Sequence, residues 1–238
     1  MKYIAVCLLV VLGITPSFCS IFFDGFDGDS LKSHWGINKG EFNLSDWEYS
    51  VEDSWLNVWN VWGPYDSGNS VRLYSYGGTF PKQNDFDVKA RVAWDQGEFQ
   101  ALGLSVGVLD IFINMGYSVR PGEQPKIVAN FQNFGGGSSS IPAPSSGIHE
   151  FRITRVGALL TAYFNGVPFH QGNDTQGFYL GNIAFSFVGP KGYGNPQFAP
   201  LYVDWVAVVP EPSTIAACGF GFICLVFKNR TQEKGDIL

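Results

Sequence analysis

The chain has 238 residues and a formal net charge of −6, from 21 Asp or Glu against 15 Lys or Arg. This acidic balance disfavours a polyanionic partner such as nucleic acid, which is therefore not expected to bind. Once the two terminal segments described below are set aside, residues 21–209 are long enough for one domain with a substantial apolar core.

Residues 1–20 have the three-part order of a cleavable secretory signal peptide. Lys2 supplies a positive charge, residues 4–14 are almost unbroken apolar sequence, and the small Ser17 and Cys19 lie two positions apart. We expect a signal peptidase to cut after Cys19 or the serine that follows it. The apolar run is too short to cross the ~30 Å hydrocarbon core of a bilayer, so a membrane anchor is not predicted here.

The cysteines lie in or beside the two terminal segments, at Cys7, Cys19, Cys218 and Cys224. An exported protein meets an oxidising compartment in which disulfides would persist. Even so, no cysteine falls inside the stretch that remains after processing. The domain is therefore predicted to depend on packing rather than on disulfides for its stability.

The pattern of residues 21–209 is that of β-strands throughout. Polar and apolar residues alternate over 87–94, 150–156 and 201–206, and this period of two is typical of half-buried strands. Asn165-Gly166 between two apolar runs predicts a hairpin with a type I′ turn. The Gly-, Ser- and Pro-rich residues 135–147 predict one long flexible loop. No stretch has sustained helical periodicity, so the predicted fold is an all-β, two-sheet antiparallel sandwich of the jelly-roll type.

Aromatic residues concentrate between Trp47 and Tyr76, interleaved with Asn and Asp. Aromatic rings stack on the C–H faces of sugars, while amide and carboxylate groups bond the hydroxyls. The sequence therefore predicts a carbohydrate-binding platform near the Gly-Pro turn at 63–64. Its members are Trp59, Asn60, Trp62, Tyr65 and Asp66. Tryptophan occurs on both faces of the strand by its period of two, so a role in the core stays open for any single ring.

Three short motifs resemble the concanavalin A-like lectin/glucanase (laminin G-like) sandwiches. Residues 22–28 leading to Trp35 look like the opening strand of that family. Residues 149–166 are similar to its paired strands that end in an Asn-Gly hairpin, and residues 202–205 resemble its final strand. The resemblance implies a fold in which the first and last strands lie close together. It does not by itself supply an activity.

The resemblance also bears on catalysis. In the glucanase branch the carboxylates follow a Glu-x-Asp-x-x-Glu spacing along one strand, so that they face the same cleft. This sequence lacks that spacing, since Glu48, Glu52 and Asp53 come closest but in the wrong register. No His or Cys cluster has metal-ligand spacing either. No catalytic residue is therefore predicted.

A structural calcium ion is the one cofactor with support in the sequence. Asp24 and Asp27 crowd the first strand and turn, and Asp204 sits on the final strand. Carboxylate oxygens suit Ca²⁺, and in the concanavalin A-like fold such an ion would join the first strand to the last. The alternative is that these carboxylates cap turns and face water.

The C-terminal residues resemble a PEP-CTERM sorting signal. Pro210-Glu211-Pro212 holds an extended backbone, an apolar helix is predicted up to Phe227, and a basic end follows at Lys228 and Arg230. In that family the signal is recognised by an exosortase. Residues 210–230 are thus expected to insert transiently in the cytoplasmic membrane, with 231–238 as a polar tail. A plain C-terminal anchor is the alternative.

Together these features predict an exported protein that passes the inner membrane and reaches the cell surface or extracellular matrix. The predicted function is association with extracellular polysaccharide, because PEP-CTERM sorting is linked to exopolysaccharide production. Two alternatives stay open. One is a polysaccharide-active hydrolase or lyase with an unrecognised catalytic pair, and the other is a purely structural surface protein.

Overall fold

The computed structural model of the chain describes residues 22–38, 47–60, 70–76, 85–95, 100–108, 111–120, 122–131, 136–177, 179–188 and 201–209. Strands account for most of these residues, and no helix occurs among them. The strands are β1 (Phe22–Asp24), β2 (Trp35–Asn38), β3 (Trp47–Glu52), β4 (Trp55–Asn60), β5 (Ser70–Ser75), β6 (Phe86–Trp94), β7 (Gln100–Val108), β8 (Ile111–Val119), β9 (Lys126–Asn130), β10 (Ser138–Pro142), β11 (Gly147–Val156), β12 (Leu159–Phe164), β13 (Val167–Asn173), β14 (Asn182–Val188) and β15 (Leu201–Val209).

The strands form two antiparallel sheets. The eight-stranded sheet has the order β13-β12-β11-β6-β15-β4-β3, with β1 added beside β15. The seven-stranded sheet has the order β10-β9-β8-β7-β14-β5-β2. The predicted all-β sandwich is therefore confirmed, and so is the expected proximity of the first and last strands, since Asp24 pairs with Val206.

The core lies between the sheets and is filled by alternate residues of each strand. Trp94 of the eight-stranded sheet stacks on Tyr117 of the seven-stranded sheet, with ring centres 4.2 Å apart. The His149 ring stacks on the same indole at 4.4 Å. Because Trp94 and Tyr117 are almost fully buried, this stack ties the two sheets together at the centre of the sandwich.

The predicted hairpin and its type of turn are both confirmed. β12 ends at Phe164 and β13 begins at Val167. Asn165 and Gly166 between them have φ values of 50° and 78°. Two central residues with positive φ define a type I′ turn, whose twist matches that of the flanking strands.

The prediction of one long loop over residues 135–147 is wrong in its middle. Ser138 to Pro142 form β10, which pairs with β9 from Asn130 to Lys126. The pairing uses backbone groups, so a run of serines can make it although serine gives little sign of a strand. Ile141 packs against the core, and Ser139 Oγ lies 2.8 Å from His170 Nδ1.

The predicted terminal segments lie outside the described residues, which begin at Phe22 and end at Val209. Within the described ranges, no helix has the length and apolar character needed to span a bilayer. The signal peptide over 1–20 and the sorting helix over 210–230 stay predictions.

Candidate functional site

The outer face of the seven-stranded sheet holds a groove of about 260 Å³ over its central strands. Its floor is made of short side chains and glycines. They are Ala101, Gly103 and Ser105 on β7, Gly116 and Ser118 on β8, and Ser186 on β14. Such residues leave the sheet backbone open to a molecule that lies in the groove.

The strand register arranges the floor in rows that run across the strands. Gly103 pairs with Ser186 on one side and with Gly116 on the other. In the adjacent row Ser105 faces Asn114, which in turn faces Asn130. Because paired residues of neighbouring strands share a face, one row is nearly flat and the next carries a hydroxyl and two amides.

The polar row is itself ordered by a side-chain hydrogen bond. Ser105 Oγ donates to Asn114 Oδ1 at 2.5 Å. This bond orients the Asn114 amide, whose nitrogen is a hydrogen-bond donor. The row can therefore bond the hydroxyls of a ligand without first breaking an ion pair.

Gly116 is required by the close approach of the strands beneath the groove. A Cβ at this position would lie 2.5 Å from the carbonyl oxygen of Leu102, and that oxygen belongs to the backbone and cannot rotate away. At Gly103 a Cβ would meet no atom closer than 3.7 Å. The glycine at 103 therefore shapes the floor, whereas the glycine at 116 also permits the strands to pair.

No Asp or Glu is found among the described residues that line the groove, and Arg72 is the one charged residue among them. Glycoside hydrolysis ordinarily needs two carboxylates that flank the scissile bond. On the central strand β7 the outward positions carry Ala101, Gly103 and Ser105 instead. The described lining of the groove therefore contains no pair of carboxylates.

Aromatic rings border the groove on the β5 side. Tyr74 and Tyr76 make an edge-to-face pair with centres 5.6 Å apart. Tyr74 pairs with Ala184 in the register, which places it at the end of the row that contains Ser105. The Tyr74 ring leans over Gly36 of the edge strand β2, away from the described lining of the groove.

The structure places the predicted platform only in part. Trp59 and Asn60 lie on β4 of the eight-stranded sheet, paired with Glu48 and Trp47, and their side chains are outside the description. Trp62, Tyr65 and Asp66 also lie outside the described residues. The segment that carries these three connects β4 of one sheet to β5, a groove strand of the other, so their role stays a prediction.

The acidic residues predicted to bind calcium are paired with cationic side chains in the structure. Lys32 Nζ lies 2.8 Å from Asp24 Oδ1 and 2.6 Å from Asp27 Oδ1, so an ammonium already bridges the two carboxylates. Asp204 is instead paired with Arg91 at 2.7 Å. No group of three His, Cys, Asp or Glu in the described ranges could hold a metal ion.

Asp24 serves a structural purpose at this position. Its side chain also accepts hydrogen bonds from the Trp35 indole at 2.7 Å and from the Phe26 N–H at 2.9 Å, and His34 Nε2 lies 2.9 Å away. Burial by itself would raise the pKa of Asp24, but the bonds from Lys32, Trp35 and Phe26 outweigh it and lower the pKa. The carboxylate thus fastens β1 to the start of β2 in the other sheet.

The three histidines likewise have structural partners. Burial lowers the pKa of His149, which is half-buried and stacks on Trp94, and the pKa of His170, which lies beside Ser139. His34 lies against Asp24. None of them is placed in the groove.

Comparison with known proteins identifies the fold. No family model matches the chain, and no curated protein matches it in sequence. The catalytic domain of an endo-1,3-β-glucanase (laminarinase) from Thermotoga petrophila RKU-1 matches with a TM-score of 0.60 and 13% identity, over 81% of this chain and 98% of that one. The sandwich is concanavalin A-like.

Two further solved structures show how varied the proteins with this fold are. The laminarinase from Flavobacterium sp. UMI-01 matches with a TM-score of 0.60 and 12% identity, over 80% of this chain and 100% of its own. The CBM2 module of the evolved Dit of Lactobacillus casei BL23 phage J-1 matches with a TM-score of 0.57 and 10% identity, over 81% and 97%. At these identities the similarity concerns the fold alone.

Sequence reasoning missed the groove because it looked for aromatic residues and carboxylates. The signal that was present is a period of two in small residues. It runs through Ala101, Gly103 and Ser105 on β7 and recurs at Gly116 and Ser118 on β8. Only the pairing of these strands shows that the small residues form one surface.

Proposed function

We propose that this chain is an exported cell-surface or matrix protein whose sandwich binds extracellular polysaccharide in the groove of the seven-stranded sheet. The observation that carries the proposal is the groove floor, in which a flat row lies beside a row of hydroxyl and amide groups. A sugar chain offers both apolar C–H faces and hydroxyls, and this floor complements both.

The solved structures of similar fold support a polysaccharide as the ligand. Two of the proteins compared above are laminarinases, and that from Thermotoga petrophila RKU-1 is an endo-1,3-β-glucanase. Binding is preferred to cleavage for this chain because the described residues that line the groove include no carboxylate. A hydrolase or lyase acting in this groove would have to draw its acid–base carboxylates from outside the described lining.

The proposal includes the route by which the protein reaches the polysaccharide. A signal peptidase would remove residues 1–20. An exosortase would act at Pro210-Glu211-Pro212 after the apolar helix that follows has entered the membrane. The support for this route is the sequence of the two terminal segments.

The test is a glycan array probed with the purified chain, followed by the variant Ser186→Trp. Ser186 lies on the groove floor, so an indole there should fill the groove and abolish retention on any glycan that the natural chain binds. Leu159→Trp is the matched control, because it adds the same ring at an exposed site on the eight-stranded sheet. The control should bind like the natural chain.

Other results would favour the alternatives. Release of shorter oligosaccharides from a bound polymer would show an enzyme. No retention on any glycan would leave a purely structural surface protein. Loss of binding in Trp62→Ala with unchanged binding in Ser186→Trp would move the site to the aromatic platform predicted from the sequence.

A further inference from the structure

Arg72 extends across the floor of the groove. It projects outward from β5, and its guanidinium carbon lies 5.2 Å from the centre of the Phe112 ring on β8. Strands β14 and β7 lie between β5 and β8 in the sheet. The two side chains can meet because the residues beneath them are small, such as Ser186 and Ser105.

Arg72 differs from three arginines of the eight-stranded sheet, each of which is paired with a carboxylate. On the eight-stranded sheet, Arg91 is paired with Asp204 and Arg152 with Asp87, each at 2.7 Å. Arg155 lies 2.9 Å from Asp174. Arg72 has no ion pair with any described residue, and no described residue that lines the groove carries a carboxylate.

From this arrangement we propose that the groove selects an anionic polysaccharide, with Arg72 binding an oxyanion substituent of the sugar chain. The inference rests on the proposed function. Guanidinium is planar and donates two parallel hydrogen bonds, so it matches the oxygens of a uronate carboxylate or of a sulfate ester. Its contact with Phe112 is a weak one at an exposed site and can be exchanged for that stronger bond.

The rest of the groove fits such a chain. Serine and asparagine on the floor bond hydroxyls, and Phe112 offers a ring face for the sugar next to the charged one. At the far side Lys126 is already paired with Glu123 at 2.8 Å, so Arg72 supplies the local positive charge in the described groove.

The net charge of −6 disfavours polyanions in general, but the charges nearest the groove decide how a ligand binds there. The paired carboxylates of Asp87 and Asp204 belong to strands of the other sheet. At physiological ionic strength charges interact over about 8 Å. The oxyanion would therefore respond to Arg72 beside it more than to carboxylates on the far side of the sandwich.

The experiment compares ligands that share a backbone and differ in charge. Polygalacturonate is compared with its fully methyl-esterified form, and dextran sulfate is compared with dextran. We expect the natural chain to prefer a charged polymer, and the pair that shows the preference identifies carboxylate or sulfate as the group. Arg72→Gln should weaken binding of that polymer at least about tenfold, and by more than it weakens binding of the neutral one.

Two further variants and a stability measurement serve as controls for the charge, the position and the folding of the Arg72→Gln variant. Arg72→Lys keeps the charge without the paired hydrogen bonds and should recover only part of the affinity. Arg91→Gln removes an arginine from the opposite face and should bind normally. The thermal midpoint of Arg72→Gln should match that of the natural chain, because Arg72 is exposed and lacks a described ion pair.

Each outcome has a distinct meaning. Equal binding of charged and neutral polymers, or an unchanged affinity in Arg72→Gln, would overturn the selection for anions and leave polysaccharide binding intact. Absence of binding to every polymer, neutral ones included, would overturn the proposed function as well.

Discussion

The outer faces of the two sheets differ in the length and pairing of their side chains. The eight-stranded sheet presents long charged residues that are joined in pairs. Arg152 makes two hydrogen bonds to Asp87, at 2.8 and 2.7 Å, and lies over the Tyr163 ring. The groove of the seven-stranded sheet presents serines, glycines, asparagines and one arginine without an ion pair to a described residue.

The difference shows how one antiparallel sandwich separates stability from recognition. Paired charges cover the backbone of the eight-stranded sheet, and a second molecule would have to break those pairs to reach it. Over the groove the described side chains are short and make no ion pair with one another, so a ligand can approach the sheet without breaking one. Even the depression on the charged face, lined by Arg91, Glu150 and Trp205, has its arginine committed to Asp204.

Among the ion pairs of the eight-stranded sheet, the largest loss of stability is expected from a substitution at Asp24. Asp24→Ala removes the acceptor of the Trp35 indole and the partner of Lys32, and the carboxylate is fully buried. We expect a loss of about 3 kcal/mol in the free energy of unfolding, measured by denaturant titration. Asp27→Ala, at an exposed carboxylate that shares the same lysine, should leave the unfolding free energy unchanged. Similar losses in both variants would contradict the central role of Asp24.

The small residues of the groove can be tested at Gly116, where Ala adds volume without adding charge. Gly116→Ala places a Cβ against the carbonyl oxygen of Leu102, so we expect about 1–3 kcal/mol of destabilisation in the same titration. Gly103→Ala is the matched control one strand away, and ordinary contact distances there predict a change close to zero. A neutral Gly116→Ala would mean that the strands can separate at no cost.

The pH dependence of stability should reflect two histidines and one aspartate on the eight-stranded sheet. Burial lowers the pKa of His149 and His170 below the ordinary 6.5, so the unfolded chain takes up protons first as the pH falls. The free energy of unfolding is therefore expected to decrease below about pH 6.5. Asp24, whose pKa is lowered from 3.8, contributes stability above that value and loses it as the pH falls further.

Substitution of both histidines by glutamine separates these contributions. The double variant should lose the dependence between neutral pH and about pH 5, while the fall below about pH 4 stays. Unfolding measured at several pH values checks both parts. An unchanged slope near pH 6 in the variant would show that other groups titrate there.

The smallest expected effect concerns calcium. Because Lys32 lies between Asp24 and Asp27, a chelator should not shift the thermal unfolding midpoint, and added calcium should not raise it. A midpoint that falls with chelator and recovers with calcium would show that the ion displaces the lysine.

Several elements could be predicted from local pattern alone. Alternation placed strands over 87–94 and 201–206, and the Asn165-Gly166 pair specified its turn, because both signals depend on residues adjacent in the chain. The strand at 138–142 could not be found in this way. Serine has little intrinsic preference for a strand, and β10 forms because β9 offers it an edge.

The candidate site could likewise be predicted only in part from the sequence. The sequence by itself determined an all-β chain without a Glu-x-Asp-x-x-Glu motif, and it marked the acidic residues near Asp24. Only the tertiary structure decided that Lys32 joins Asp24 to Asp27, that Ser186, Gly103 and Gly116 form one floor, and that Arg72 spans it. The physical reason is that strand order and register, which bring distant residues onto one face, are set by packing across the whole sandwich.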